Sequence, residues 1–371
     1  MKLKNLTILI ISNEPWGKVW YSKHHYANEL SISNHVFFLD PPSYWRFTNL
    51  LKPKFKTTVL KKNLILIKPH NYLPLTGKSK YLERINSRFV VTTLKKIIKK
   101  INTKELIVWT FDPYRIFNPK LLAPKLVIYH SVDYYTHPRE KWLFNNVDII
   151  LATSDRIAAK YRSLQIPVYQ IPHGVNSPSI PFDHVMRIRH RKEIILVGTI
   201  TARIDFELLY KISSSFQDYN LKIVGPIDKR KFNKNDWWFF NKLEQQENVI
   251  FTGAIKYHEL EKHILSAAIG LCILKADYIG NQLSSHKILQ YLIYGKNVVT
   301  TQLEEYQHLV ENEILYMGNS HEDIIMFCEK ALKNKDDVQL AKKRILFAKA
   351  RMYSRIIESI ESYLPTHIND R

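Results

Sequence analysis

Short apolar runs alternate along the chain with stretches whose apolar residues recur every three to four positions, and the alternation happens twice. In the first half, Thr7–Ser12, His35–Asp40, Leu64–Pro69, Glu105–Phe111, Lys125–Tyr129, Val147–Thr153 and Val168–Ile171 have the length and continuous hydrophobicity of strands buried on both faces. Helices are expected between them at Ser22–Ser31, at Lys80–Lys100 with Leu82, Ile85, Phe89, Val90, Leu94 and Ile97 inward, and at Asp155–Arg162. The rhythm restarts with strands at Glu193–Val197, Leu221–Val224, Asn248–Gly253, Ile269–Leu274, Asn297–Thr300 and Ile314–Met317. Helices are expected at Phe206–Ser214, Tyr257–Ala267 and His321–Leu332, with one long helical segment over Val338–Leu364. Such alternation predicts an α/β protein of two doubly wound, Rossmann-like domains facing across a cleft. The expected division is 1–180, a Pro-containing linker at 181–192, a second domain at 193–350, and a final helix at 351–371.

The stretch Gln282–Thr301, QLSSHKILQYLIYGKNVVTT, carries the most chemistry. Ser284 or Ser285 can cap a helix whose buried face is Ile288, Leu289, Leu292 and Ile293, and Gly295 suits a left-handed stop. Lys287 and Gln290, three apart, share one side of that helix. A lysine in a first helical turn opposes the helix dipole but is well placed to meet a phosphate there. The plain alternative is a solvated lysine beside a surface glutamine.

This run resembles the donor-binding segment of GT-B nucleotide-sugar glycosyltransferases in Lys287, Tyr291, Leu292, Gly295, Lys296, Val298 and Val299. Gln282 and Gln290 stand where many retaining members carry glutamates; an amide can bond a ribose but supplies no carboxylate. A Lys-x-x-Gln arrangement is similar instead to the inverting, membrane-associated glucuronosyltransferase of xanthan assembly and related capsule and exopolysaccharide enzymes. The resemblance implies that Lys287 meets a diphosphate and Gln290 the nucleoside. It extends weakly to Ile171–Asn176 and to the turn Gly198, Thr199, Ile200, where glycine lets backbone approach a ligand. Arg203, Gly225 and Tyr278 are further donor-side candidates, and Arg203 suits a diphosphate or an acidic sugar such as glucuronic acid. The donor, a UDP-sugar, is a substrate; no cofactor is expected, and no D-x-D motif at a strand end calls for a metal.

An inverting transfer needs one base to take the acceptor hydroxyl's proton. Asp133 closely follows a buried strand in a half poor in acids, and it is the expected base, with His130 beside it and Asp112 as a rival. The competing reading makes Asp133 a cap for a helix starting near Pro138 or for a turn. Trp16, Lys23, His24 and His25 lie near the end of the first strand and are acceptor-side candidates.

Charge sharpens the division. Residues 1–180 hold 28 Lys and Arg against 10 Asp and Glu, and the remainder holds 27 against 24. Pro41–Lys62 interleaves Tyr44, Trp45, Phe47, Leu50, Leu51 and Phe55 with six cations, a composition that suits an anionic bilayer at about 1 kcal/mol per charge. The bland reading of this segment is a loop and helix covering the sheet. Two cysteines, Cys272 and Cys328, give no disulfide framework, and no segment reaches the ~18 apolar residues of a membrane span. The expectation is therefore a cytoplasmic enzyme, peripheral on the inner face of the plasma membrane, with a lipid-linked or polysaccharide acceptor and without nucleic acid. The rivals are a retaining transferase, a homologue that binds nucleotide sugars without turnover, and a nucleic-acid-binding protein using the basic half. Trp237 and Trp238, read as part of a basic loop, have no assigned role.

Overall fold

The computed structural model describes residues 1–43, 45–48, 55–76, 78–101, 105–185, 192–275 and 285–365. The chain forms two compact units, Met1–Pro172 joined by a C-terminal part that starts at Tyr353, and His173–Met352.

In the first unit the elements are β1 (Thr7–Ile11), α1 (Ser22–Leu30), β2 (His35–Leu39), β3 (Lys56–Lys61), β4 (Leu64–Lys68), α2 (Lys80–Ile101), β5 (Leu106–Thr110), β6 (Leu126–Ser131), α3 (Lys141–Phe144), β7 (Ile149–Ala152), α4 (Asp155–Tyr161) and β8 (Val168–Gln170). The sheet order is β3-β4-β2-β1-β5-β6-β7-β8, and every pairing except β3 with β4 is parallel. Alternation along the strands supplies two cores. Ile8, Ile10 and Phe38 pack with Tyr26 and Leu30 of α1, while Leu9, Ile11 and Phe37 pack with Val90, Val91 and Leu94 of α2.

Three details depart from expectation. β3 is an added edge strand, paired antiparallel to β4 across a two-residue turn at Lys62 and Asn63. It occupies the end of Pro41–Lys62, whose plain alternative reading is a loop and helix covering the sheet, and its exposed lysines protect an open sheet edge. On α2, Ile85 and Phe89 are 44% and 50% exposed, whereas Glu83, Asn86 and Ser87 are buried beside Val90 and Leu94. The helix is turned this way because Asn86 Oδ1 accepts the Tyr72 and Leu73 N–H groups at 2.7 and 3.2 Å, and Glu83 meets Arg139 at 3.4 Å. The helical segment Val338–Leu364 is two helices, α12 (Val338–Lys349) in the second unit and α13 (Tyr353–Tyr363) in the first, the latter within the final helix expected at 351–371. Tyr353 stacks on His25, and Glu361 accepts the Leu3 N–H at 2.7 Å.

The second unit holds α5 (Phe182–Val185), β9 (Glu193–Val197), α6 (Phe206–Ser215), β10 (Asn220–Val224), α7 (Lys234–Glu244), β11 (Val249–Gly253), α8 (Tyr257–Ser266), β12 (Ile269–Cys272), α9 (His286–Leu292), β13 (Asn297–Thr301), α10 (Gln307–Glu311), β14 (Tyr316–Gly318), α11 (His321–Lys333) and α12. Its sheet runs β11-β10-β9-β12-β13-β14 and is parallel throughout. The chain divides at 172/173 rather than within 181–192. The described part of that segment belongs to the second unit, since Val185 is buried with Leu265 and Ile345. Trp237 and Trp238 lie on the helix α7, not in a loop. Among the described residues no helix is long and apolar enough to cross a membrane.

Candidate active site

Open parallel sheets bind ligands beyond the carboxyl ends of their strands, where the strand order reverses. In the second unit that point lies between β9 and β12. β9 ends in Gly198 at φ 140°, and the neighbouring β10 ends in Gly225 at φ 145°. Only glycine fits either turn. A Cβ on Gly225 would stand 1.9 Å from the Gly198 carbonyl oxygen, and one on Gly198 would stand 2.1 Å from Lys287 Nζ. The Lys287 ammonium thus lies directly against the backbone turn that closes β9, with Thr199 half-buried in the same turn.

Tyr291, one helical turn after Lys287, fixes this arrangement. Its buried hydroxyl accepts the Val197 N–H at 2.8 Å and donates to the Leu271 carbonyl at 3.2 Å, tying α9 to β9 and β12 together. Gly270 makes room for the ring, since a Cβ there would come within 2.6 Å of it. Ser285 occupies the N-cap position of α9, but its hydroxyl makes no capping bond; it lies 3.4 Å from Cys272 Sγ.

Burial lowers the Lys287 pKa below the usual lysine range, opposed by Cys272 and reinforced by the nearby Arg203 cation. Among the described residues no carboxylate pairs with this lysine. A desolvated cation without a counter-charge among the described residues, beside a glycine turn, is an arrangement that an anion completes.

Gln290 faces elsewhere, into a pocket of about 350 Å³ lined also by Asn176, Tyr257, Glu261, Ile293 and Tyr294. Asn176 Nδ2 donates to the Tyr257 hydroxyl at 2.8 Å, and Glu261 accepts the Ser179 N–H at 2.8 Å. The helix α9 therefore presents Lys287 to the glycine turns and Gln290 to a pocket with both polar and apolar walls. Gln282 and Tyr278 fall outside the described residues.

In the first unit the strand order reverses between β1 and β5. Asn13 follows β1, accepts from Lys23 Nζ, and donates to the Tyr135 hydroxyl at 3.2 Å; that hydroxyl in turn donates to the Phe111 carbonyl at 3.4 Å. Lys23 is buried, which lowers its pKa, and the charges of Glu14, Asp133 and Asp112 act against that shift. Asp133 stands just past β6 with an exposed side chain. Its carbonyl accepts the Tyr135 N–H at 3.1 Å, and the turn at Pro138 is capped by His137, not by Asp133.

His130 does not share that position. It is 1% exposed on β6, its ring stacked on Phe111 at 4.8 Å between centroids, and its Nδ1 accepts from Trp109 Nε1 at 3.4 Å. An acceptor hydroxyl has no route to a side chain in the aromatic core, so His130 is corrected from candidate base to packing residue. Asp112 is also committed, to the Tyr114 N–H at 2.8 Å and to Arg115. The His24 ring is used at both nitrogens, accepting the Tyr21 N–H at 3.0 Å through Nδ1 and contacting the Pro15 carbonyl at 3.1 Å through Nε2. Burial pushes His24 down to about 4 and His25 to about 3. Trp16 packs on Phe38 and His24.

Sequence reasoning missed Tyr135, Tyr257 and Asn176 as site-lining groups. The signal was present only as position, each lying in or beside a loop at the carboxyl end of a strand.

No protein-family model matches the chain. A curated relative, the "Putative teichuronic acid biosynthesis glycosyltransferase TuaH" of Bacillus subtilis (strain 168), is 24% identical over 180 residues, 47% of this chain and 44% of that one. The chain thus covers less than half the length of that relative. Among solved structures, sucrose-phosphate synthase from Thermosynechococcus elongatus superposes with a TM-score of 0.65 at 15% identity, over 97% of this chain and 98% of the other. Anabaena HepE in complex with UDP and glucose gives 0.64 at 12% identity, over 98% and 100%. Two parallel sheets in this order, matched end to end by such structures, establish that the chain has the GT-B glycosyltransferase fold.

Proposed function

We propose that this protein is an inverting, metal-independent glycosyltransferase that moves a sugar from a UDP-sugar to a lipid-linked or polysaccharide acceptor in cell-surface polysaccharide synthesis. The observation that carries the reading is the half-buried Lys287 ammonium laid against Gly198 without a carboxylate partner among the described residues. In this reading Lys287 binds the diphosphate and stabilises the negative charge that grows on it as the glycosidic bond breaks. Gly198, Thr199 and Gly225 bring backbone close to the phosphates, Arg203 faces the diphosphate or an acidic sugar such as glucuronic acid, and Gln290 with its pocket takes the nucleoside. Tyr278 and Gln282 remain assigned to the donor side on sequence grounds.

Asp133 takes the acceptor hydroxyl's proton as that oxygen attacks the anomeric carbon and the diphosphate departs, so the configuration inverts. A teichuronic acid relative and a neighbour holding UDP and glucose support the donor class and the pathway type. The membrane assignment, peripheral on the inner face of the plasma membrane, is supported by α2, where Tyr81, Ile85 and Phe89 form an exposed stripe flanked by Arg84 and Arg88.

The test is release of UDP from a panel of UDP-sugars by the wild type, Lys287→Ala and Asp133→Asn, with product configuration read by NMR. Turnover lost in both variants with an inverted product supports the proposal. Retained configuration removes Asp133 as base. Salt-sensitive binding of single-stranded DNA with no UDP affinity replaces the proposal by the nucleic-acid reading.

A further inference from the structure

The second unit carries an aromatic and basic surface that its donor-side chemistry does not use. Residues 228–244, DKRKFNKNDWWFFNKLE, hold five cations and three acids; Arg230 pairs with Asp228 at 2.7 Å and Lys229 with Glu244 at 3.7 Å, which leaves Lys231, Lys234 and Lys242 as the basic excess. α7 turns Asp236, Phe240 and Leu243 inward, and Asp236 is neutralised there by Lys275. Trp237 on the flank of the helix and Trp238 on the side away from the core are 40% and 53% exposed. Lys229 lies 5.0 Å from the centroid of the Trp237 ring and Lys242 lies 5.4 Å from that of Trp238, so cations flank both indoles. Lys231 and Lys234 are exposed beside them.

The indoles pack edge-on over Phe232 and Phe239 at the margin of the core, yet each leaves a large exposed apolar face that costs solubility. Tryptophan favours the headgroup level of a bilayer, where its ring is apolar and its N–H stays wet, and lysines around it gain from anionic lipid. A neutral carbohydrate would use the indoles without explaining the cations. A nucleic acid would use the cations, but it binds better to a groove than to one convex helix face.

We infer that α7 and the preceding basic turn form a second lipid-docking surface, on the donor-binding unit, that inserts Trp237 and Trp238 among anionic headgroups. It stands apart from the catalytic reading and from the α2 stripe of the first unit.

The experiment is co-sedimentation of the full chain with phosphatidylcholine vesicles, with and without phosphatidylglycerol. Wild type is compared with Trp237→Ser/Trp238→Ser, with Lys231→Glu/Lys234→Glu and with Tyr81→Ser/Phe89→Ser, folding being checked by circular dichroism. The expected result is binding that needs phosphatidylglycerol and falls roughly tenfold or more in each α7 variant. The charge-reversal pair is exposed, Lys231 in the preceding turn and Lys234 at the start of α7, and keeps the test valid if the tryptophan pair unfolds. Binding lost only in Tyr81→Ser/Phe89→Ser overturns the inference and leaves the first-unit surface standing. Vesicle binding unchanged in both α7 variants, with self-association lost instead, assigns the indoles to a second copy of the chain and also overturns it.

Discussion

Both units wind a parallel sheet outward from a central strand, yet they place different chemistry where the strand order reverses. The second unit builds with backbone: two glycine turns at positive φ and one lysine lying on them, located by a tyrosine that bonds to two strands. The first unit builds with side chains. Arg115 holds Asp112 and the carbonyls of Ser12 and Asp40 together, while Asn13 joins Lys23 to Tyr135. A diphosphate is the same in every UDP-sugar, so a rigid backbone cradle suits it. An acceptor hydroxyl differs from one substrate to another, and a polar side-chain network can be rewired around it without disturbing the sheet.

The sharpest way to break this contrast is at the cradle. Lys287→Ala is expected to lower turnover on the order of 10²- to 10³-fold, as loss of one preorganised charge-stabilising group does. Gly198→Ala should match that loss although it removes no charge, because the new methyl would occupy the space of the ammonium. It should also lower stability by about 1–3 kcal/mol through its φ of 140°. Isothermal titration with UDP together with thermal melts checks both. If Gly198→Ala binds UDP as well as wild type does, the lysine is not held where the phosphates sit.

A comparable test exists in the first unit. Asp133→Asn should cut kcat roughly 10²- to 10⁴-fold while UDP affinity stays unchanged, since a base acts on the acceptor and not on the nucleotide. His130→Phe should do the reverse of a catalytic change, leaving kcat intact and costing about 1 kcal/mol for the Trp109 N–H it strands. Equal losses of kcat in the two variants would reject the correction made for His130.

The two sheets were legible because strands buried on both faces carry unbroken apolar runs, and the stretch around Lys287 combines a helix start, a glycine stop and a strand within twenty residues. Local pattern failed where a tertiary partner decides the outcome. β3 has only Val59 and Leu60 as large apolar residues and is a strand because β4 offers it an edge. The inward face of α2 was misjudged because a buried Asn86 and Glu83 rotate Ile85 and Phe89 outward, against hydrophobic periodicity. α7 was hidden by its own composition, since lysines and adjacent tryptophans do not trace an amphipathic repeat. Asp133 could be placed after a strand, but only the structure shows that His137 and not Asp133 caps the turn at Pro138.

The last effect lies wholly within the first unit and is read through pH. Burial raises Glu83 of the first unit to about 7, with Arg139 acting against the shift, and it lowers His24 and His25 to about 4 and about 3. The signs oppose each other. A carboxyl whose folded value exceeds its unfolded one stabilises at low pH, and that stability is lost as pH rises from about 4.5 towards 7. A histidine whose folded value is depressed stabilises above about 6.5, and that contribution is lost as pH falls towards 4. Glu83→Gln removes the first slope and keeps the second. Its stability relative to wild type should therefore improve from pH 5 to pH 8 by on the order of 2 kcal/mol, read by urea denaturation at each pH. The Arg139 contact it weakens shifts the whole curve down without altering that trend, because Arg139 keeps its bond to the Tyr114 carbonyl at 3.1 Å. A difference between variant and wild type that is the same at pH 5 and pH 8 would mean that Glu83 is ionised throughout, and that the polar face of α2 is an ion pair with Arg139 rather than a protonated carboxyl.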